Sequence, residues 1–375
     1  MILKLSVIIL NYNVQYFLEQ CILSVQRSLK IIDSEIIIID NNSPDDSCTM
    51  VKTKFPEITL IENKENVGFS KANNQAVKIA KGEYVCILNP DTAVAEDTFV
   101  KALFYAESIS DLGVLGIYLM DGTGAYLPES KRNLPTPKAS LLKLFGSGKS
   151  YYANHITPEG KGQVAVLVGA FMLLERKVYN EVNGFDEDYF MYGEDIDFSY
   201  KITKAGYKNH YLGDISILHY KGESTMKNAE YLDRFYGAME IFYKKHFKTN
   251  FLFNSLVRVG LFIAKNSRNK TIQSQSIDSQ EDKTIYVLTE NLMLLKNISE
   301  THSSKIKTTS KTIFSDEIIT NSHIIFDVDY MSYSQIFMVM KKLANQGNTF
   351  RICPPSCSFL LGSDQSDQKG SVQVF

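Results

Sequence analysis

Four short runs of continuous apolar residues dominate the first ninety positions: LSVIIL (5–10), EIIII (35–39), ITLIE (58–62) and YVCIL (84–88). A strand that is apolar on both faces must be covered on both faces, and the usual solution is a parallel sheet sandwiched between helices. The segments between the runs supply those helices. Phe17, Leu18, Cys21, Ile22, Val25 and Leu29 recur at helical spacing. DDS (45–47) offers N-cap chemistry for a second helix, and FSKANNQAVKIAKG (69–82) reads as a third, closed by Gly82.

In sheets of this kind ligands bind outside the carboxyl ends of the strands. Asn11-Tyr12-Asn13, Asp40-Asn41-Asn42 and Asn89-Pro90-Asp91 all fall at such ends, so polar groups from three strands converge on one rim. Composition is that of an ordinary globular chain, with 375 residues, 44% of them hydrophobic, and a formal charge of −2. That balance gives no case for nucleic acid as a partner. The five cysteines, at 21, 48, 86, 353 and 357, lack disulfide-scaffold spacing and fit a reducing, cytoplasmic setting. Cys353 and Cys357 in CPPSC have no second pair to complete a metal site. The opening MILKLSVIILNYN reads as a first strand rather than a signal peptide. No run reaches the ~18 apolar residues that span a bilayer.

Further on, LGVLGIYLMDGTGAYL (112–127) predicts a hairpin with a Gly-rich turn, PESKRNLPTPKAS (128–140) a basic loop, and VAVLVGAFMLLE (164–175) one buried strand. A helix is expected from about Glu194 to Gly206. The polar stretch 267–283 reads as a linker, and strand-helix-strand grammar resumes after it. The expected organisation is a large α/β domain (1–250), an amphipathic segment and linker (251–283), and a small Rossmann-like α/β unit (284–375) whose role the sequence leaves open.

Six segments, in order, resemble the family 2 inverting glycosyltransferases, close to their bacterial rhamnosyltransferase-like branch. They are SVIILNYN (6–13), IIIIDNNSPDDS (36–47), NVGFSKANNQAV (66–77), LNPDTAV (88–94), VGAFMLLERKVYNEVNGFDEDYFMYGEDIDFSYKITKAG (168–206) and HYKGES (219–224). The resemblance implies a GT-A fold, a nucleotide-sugar donor and a divalent cation, Mg²⁺ or Mn²⁺.

It also implies roles. Asp40 would face a uracil or thymine nucleoside, although a carboxylate in that place also starts an Asx-turn with Asn42. Asn11 and Asn13 belong near the same nucleoside, or simply to the turn after the strand. Asn66, Gly68 and Asn74 would lie along the donor, with Gly68 at a helix mouth whose free N–H groups suit phosphate. Asp91 is the expected first metal ligand. The family's Asp-X-Asp has Asn89 in its first place, which brings no charge, so His219 is the expected second ligand. A histidine after an apolar strand also has an ordinary structural reading. In GEDID, the family pattern makes Asp195 the base that deprotonates the acceptor hydroxyl, with Glu194 beside it and Asp197 placed to cap or salt-bridge. All three would equally favour the positive end of a helix. Gly169 and Ala170 leave room for a sugar, while Lys131 and Arg132 suit either an anionic ligand or a solvated loop.

The function expected is transfer of rhamnose or another hexose from a dTDP- or UDP-linked donor to a surface-polysaccharide or lipid-linked glycan acceptor. Lys244, Lys245 and Lys248 beside apolar 251–265 suit peripheral contact (244–265) with the inner membrane face, and packing on the chain's own core suits the same stretch. Two alternatives remain. A sugar nucleotidyltransferase would need a Gly-rich N-terminal loop with a basic residue, which ILNYNVQYF lacks. A non-catalytic nucleotide-sugar binder would not need Glu194, Asp195 and His219.

Overall fold

A computed structural model describes residues 3–135, 151–222, 229–247, 283–301, 304–316, 318–365 and 369–375. The amphipathic stretch 251–265 and the loop residues 136–140 lie outside the described residues.

The expected alternation is present. Strands β1 (Leu5–Asn11), β2 (Ser34–Asp40), β3 (Thr59–Glu62) and β4 (Tyr84–Leu88) alternate with helices α1 (Gln15–Ser28), α2 (Ser47–Lys54) and α3 (Phe69–Ile79). All four strands are parallel, in the order β3-β2-β1-β4. The side chains of β1 divide between two apolar layers, Ile8 on one face and Val7 and Ile9 on the other, as a doubly covered strand requires. Register then aligns the strand ends: Asn11 pairs with Asp40, so two polar residues stand side by side at the carboxyl edge.

The chain continues through β5 (Thr92–Ala93), α4 (Thr98–Glu107), β6 (Leu112–Met120), β7 (Lys131–Arg132), β8 (Lys161–Gln163), β9 (Val166–Leu167), β10 (Phe171–Glu175), α5 (Arg176–Glu181), α6 (Glu194–Lys204), β11 (Lys208–His219) and α7 (Ala229–His246). Strand β10 enters antiparallel between β4 and β6, and β11 runs parallel to β6 with β5 antiparallel on its other side. The sheet is mostly parallel and helix-covered, the GT-A plan.

Two local expectations need correction. The hairpin at 112–127 is not a full two-strand ladder: β6 is one buried nine-residue strand, and the chain returns against it only through an antiparallel bridge between Met120 and Tyr126, flanked by Asp121 N to Ala125 O and Leu127 N to Leu119 O at 2.9 Å each. Asp121 closes the turn on itself by accepting from Thr123 N and Ala125 N, and Gly122 and Gly124 lie against Ser363 and Met340. The run 164–175 is not one strand either. Val168-Gly169-Ala170 break it, β9 turning to pair with β7 while β10 joins the main sheet.

Beyond residue 283 a second sheet is built from β12 (Thr284–Leu288), β13 (Ile306–Thr308), β14 (Ser322–Asp327), β15 (Thr349–Cys353), β16 (Phe359–Gly362) and β17 (Ser371–Val374), with helices α8 (Leu292–Thr301), α9 (Ile313–Asp316) and α10 (Tyr333–Lys342). Its order is β13-β12-β14-β15-β16-β17, parallel as far as β15. Its core residues Phe326, Tyr333 and Phe337 are continuous with the first sheet's Phe17, Met120 and Tyr220. Among the described residues no helix is long and apolar enough to cross a membrane. All five cysteines are free thiols.

Candidate active site at the carboxyl edge of the sheet

The carboxyl ends of β1, β2 and β4 open into a cavity of about 390 Å³. Asn66, Asn89, Asp91, Glu194, Asp195 and His219 all border it. Strand pairing brings Asp91 to His219 across more than a hundred residues of sequence. β5 runs antiparallel to the end of β11, with His219 opposite Thr92, and Tyr220 N donates to the Asp91 carbonyl at 3.0 Å. The Asp91 carboxylate and His219 Nε2 are then 3.4 Å apart, both residues buried, and Asn89 Nδ2 lies 3.4 Å from the same ring nitrogen.

That spacing fits a shared cation, because two donors on adjacent corners of an octahedron with bonds of about 2.1 Å stand roughly 3 Å apart. A carboxylate oxygen and an imidazole nitrogen are also donors that Mn²⁺ accepts. Among the described residues no cluster of three or more His, Cys, Asp or Glu side chains gathers. Further ligands would therefore have to come from outside this pair.

On the opposite wall, α6 begins at Gly193, which follows Tyr192; both residues are left-handed (φ 78° and 71°). This sharp entry presents Glu194 and Asp195 to the same cavity, although a helical offset of about 100° separates consecutive residues. Their environments differ. Arg132 Nη2 contacts Asp195 at 2.5 Å with both groups buried, and Gly169 N donates to the same carboxylate at 3.3 Å. Burial opposes the charge on Arg132, but the Asp195 carboxylate outweighs it and holds the guanidinium firmly protonated. Among the described residues Glu194 makes no ion pair, and the Arg132 charge opposes its rise only weakly. Burial pushes its carboxyl well above the usual range, the Asp195 charge adds to the effect, and its Oε2 has no partner. The third carboxylate, Asp197, turns away from the cavity to His246 (2.5 Å) and Tyr189 (3.3 Å), as its capping or salt-bridging role anticipated.

Gly169 and Ala170 border the cavity, as their reading as room for a sugar anticipated, but Asn11, Asn13 and Asp40 lie behind its wall. Asp40 accepts from Asn11 Nδ2 (2.7 Å), Ser43 N (2.8 Å) and Ser43 Oγ (2.6 Å), so it organises the turn that Asn13, at φ 59°, completes through Ser43. It is Leu10, Tyr12 and Asn41 that reach the cavity from this rim. Asn66 does border the cavity, with its Oδ1 held by Asn41 and Gly68 N.

The helix mouth at Gly68 is not open to phosphate. Gly68 N is bound to Asn66 and Phe69 N to the Phe190 carbonyl, and a Cβ at Gly68 would sit 2.5 Å from that carbonyl oxygen. Close backbone packing, at φ 83°, is what requires glycine here. Asn74 is a clip rather than a donor contact. It donates to Phe185 O and Glu187 and accepts from Tyr179 and Phe185 N, which uses up its amide.

The segment read as a basic loop is the largest departure. Lys131 and Arg132 form buried strand β7, and alternation sends them to opposite sides: Lys131 to the Ala153 carbonyl beside the Tyr126 and Tyr211 rings, Arg132 to Asp195. Sequence reasoning also missed the ion pair of Glu129 and Lys221 in the cavity wall and the aromatic lining of Tyr151, Tyr152 and Phe235, whereas the aromatic run DYFMYG (188–193), which reads from sequence as a sugar-pocket wall, does bring Tyr192 to the cavity. Lys244 and Lys245 are engaged with Glu240 and with Asp186 and Asp188, so the basic cluster expected at a membrane is partly neutralised.

A mostly parallel sheet, an acid–imidazole pair at its carboxyl edge and a second carboxylate pair across one cavity define the class: a GT-A glycosyltransferase. The glycosyl transferase family 2 model matches residues 6–182, and the glycosyl transferase family group 2 model matches residues 143–246. The chain belongs to the family 2 glycosyltransferases. It is 25% identical over 231 residues to the N-acetylglucosaminyl-diphospho-decaprenol L-rhamnosyltransferase of Mycobacterium tuberculosis, covering 57% of this chain and 73% of that one. It is 22% identical over 319 residues to the low-salt glycan biosynthesis hexosyltransferase of Haloferax volcanii, covering 83% and 89%. A mannosyltransferase of Pyrobaculum calidifontis, solved with GDP-Man and Mn²⁺, aligns at a TM-score of 0.48 and 16% identity over 74% of this chain and 77% of that one.

Proposed function

We propose that the chain is a divalent-cation-dependent inverting glycosyltransferase. It moves rhamnose or another hexose from a dTDP- or UDP-linked donor to a hydroxyl of a lipid-linked or surface glycan. The observation that carries this reading is the meeting of Asp91 and His219 at 3.4 Å on the cavity that Glu194 and Asp195 also border. The rhamnosyltransferase relative, named for a diphospho-decaprenol acceptor, supports the choice of sugar and of a lipid-linked substrate. That acceptor would place the enzyme at the cytoplasmic membrane face, with residues 1–250 as the transferase domain, 251–283 as connector and 284–375 as a separate unit.

Asp91 and His219 would hold Mg²⁺ or Mn²⁺, and the cation would supply positive charge for the diphosphate as it leaves. The remaining chemistry falls to side chains. Asp195, held in place by Arg132 and Gly169 N, accepts the proton of the acceptor hydroxyl. The freed oxygen pair forms the new bond to the anomeric carbon on the face opposite the breaking C–O bond, whose electrons leave with the nucleoside diphosphate. Glu194, held neutral, borders the acceptor without competing as a base. Tyr12, Asn41 and Asn66 are placed for the nucleoside and ribose, and the aromatic wall for sugar faces. Asp40, Asn11 and Asn13 support that rim from behind.

The test is transfer from a panel of dTDP- and UDP-sugars by wild type, Asp195→Asn and His219→Ala, each checked for folding. Loss of turnover in both variants is expected. Wild-type turnover in both would overturn the assignment.

A further inference from the structure

The second sheet has the topology in which small α/β units bind ligands. Its order β13-β12-β14-β15 reverses direction between β12 and β14, and the crevice beyond that switch point is where such folds usually take a ligand. Here the first unit covers that edge. Arg27 donates to the Val328 carbonyl (3.2 Å) and pairs with Asp329 (3.1 Å), just beyond β14. Cys357 Sγ donates to Glu19 at 3.5 Å, and Tyr16 meets Phe359 edge-on at 5.0 Å.

The most specific contact is at helix α10. A helix start leaves its first N–H groups without intrahelical partners. In α10 a capping box deals with two of them: Ser332 accepts from Gln335 N, and the Gln335 side chain accepts from Ser332 N. The two between, Tyr333 N and Ser334 N, donate to the carboxylate oxygens of Glu96 at 2.9 and 3.1 Å. A carboxylate at that end is also favoured by the helix dipole. Glu96 stands five residues after Asp91, just past the short strand β5 that pairs with His219's strand. Tyr333 shares an apolar cluster with Tyr220, the residue after His219. One helix end therefore meets both segments that carry the proposed cation ligands.

We infer that the second unit is a positioning element for the transfer site: helix α10, through Glu96, fixes the Asp91 segment against the His219 strand. This rests on the reading of Asp91 and His219 as cation ligands. Glu96 is a positioning residue and touches no substrate. Its loss should act as loss of an outer-shell partner does, through geometry rather than through folding.

The experiment uses the full chain and three readouts: Mn²⁺ binding in the presence of UDP, followed by electron paramagnetic resonance; kcat and KM for transfer; and thermal midpoint. Glu96→Ala is expected to weaken Mn²⁺ binding about tenfold and lower kcat by a similar factor. Glu96→Gln keeps an accepting oxygen and should fall between Ala and wild type. Ser332→Ala loosens the same helix end from the other side and should shift both readouts in the same direction, by less. Arg27→Ala breaks the interface elsewhere and is the control, with a lower thermal midpoint but unchanged Mn²⁺ binding and kcat. The inference is overturned if Glu96→Ala and Arg27→Ala behave alike, or if Glu96→Ala alters only the midpoint. Asp91→Asn in the same titration keeps the two claims apart: if it binds Mn²⁺ as wild type does, the cation reading fails, whatever Glu96 does to kcat.

Discussion

Replacing Glu194 with glutamine should stabilise the protein at neutral pH and leave transfer largely intact. Glu194 is buried beside the Asp195 charge and makes no ion pair among the described residues, so its carboxyl is raised well above the ordinary range. An unfolded glutamate releases its proton near pH 4.3, roughly, while the folded chain retains it. Stability tied to that proton is complete below the unfolded value and is lost as pH rises toward the folded one, at about 1.4 kcal/mol per pH unit. Between pH 4.3 and 7 the ceiling is about 3.5 kcal/mol. Glutamine keeps the shape of the neutral acid without that penalty. Its second N–H, facing the position where Oε2 has no partner, costs about 1–2 kcal/mol in return. A net gain of about 2 kcal/mol at pH 7 is expected, falling to zero near pH 5–6 and turning into a small loss below that. Denaturant midpoints of wild type and Glu194→Gln across pH 5–8 measure it, with transfer rates taken alongside. A variant less stable than wild type at pH 8, or one as inactive as Asp195→Asn, would refute the assignment of Glu194 as the neutral partner.

Other substitutions probe the same architecture. Arg132→Gln leaves Asp195 buried without its counter-charge and should cost about 3–5 kcal/mol in unfolding experiments while abolishing transfer at neutral pH. Gly68→Ala places a methyl group 2.5 Å from the Phe190 carbonyl at a left-handed position, and a loss of about 2 kcal/mol or more by denaturant titration is expected. Asn74→Ala removes four hydrogen bonds that tie α3 to the 179–187 segment; it should lower the thermal midpoint and leave donor KM unchanged.

What the sequence disclosed follows from the range of the forces involved. The doubly apolar runs of β1, β2 and β4 dictated a covered parallel sheet, and their polar ends dictated where a site would form. Asp91 and Asn89 could be placed at the cavity because they follow a strand end, whereas His219 was drawn to it only by the resemblance of HYKGES to the family's segment; all three border the cavity. Gly68 and Asn74 were misjudged because their partners, Phe190 and Phe185, lie more than a hundred residues downstream, and nothing local signals that contact. Lys131 and Arg132 suited an anionic ligand or a solvated loop because charge and proline dominate their segment; only the pairing of β7 with β9 shows that they are buried. The Gly-rich turn after β6 does reverse the chain, but its glycines also lie against Ser363 and Met340 of the second unit. Such long-range packing leaves no periodic trace.

The central claim is that Asp91 and His219 together hold the cation that receives the donor diphosphate. Asn89 contributes no charge, so cation binding should be weak until the nucleotide adds its own oxygens. Isothermal titration of Mn²⁺ into wild type, Asp91→Asn and His219→Ala, each with and without UDP or dTDP, tests this most directly. Weak binding by wild type alone, marked tightening with the nucleoside diphosphate, and a loss of about tenfold or more in either variant are expected. Tight binding without nucleotide, or binding indifferent to both substitutions, would contradict it.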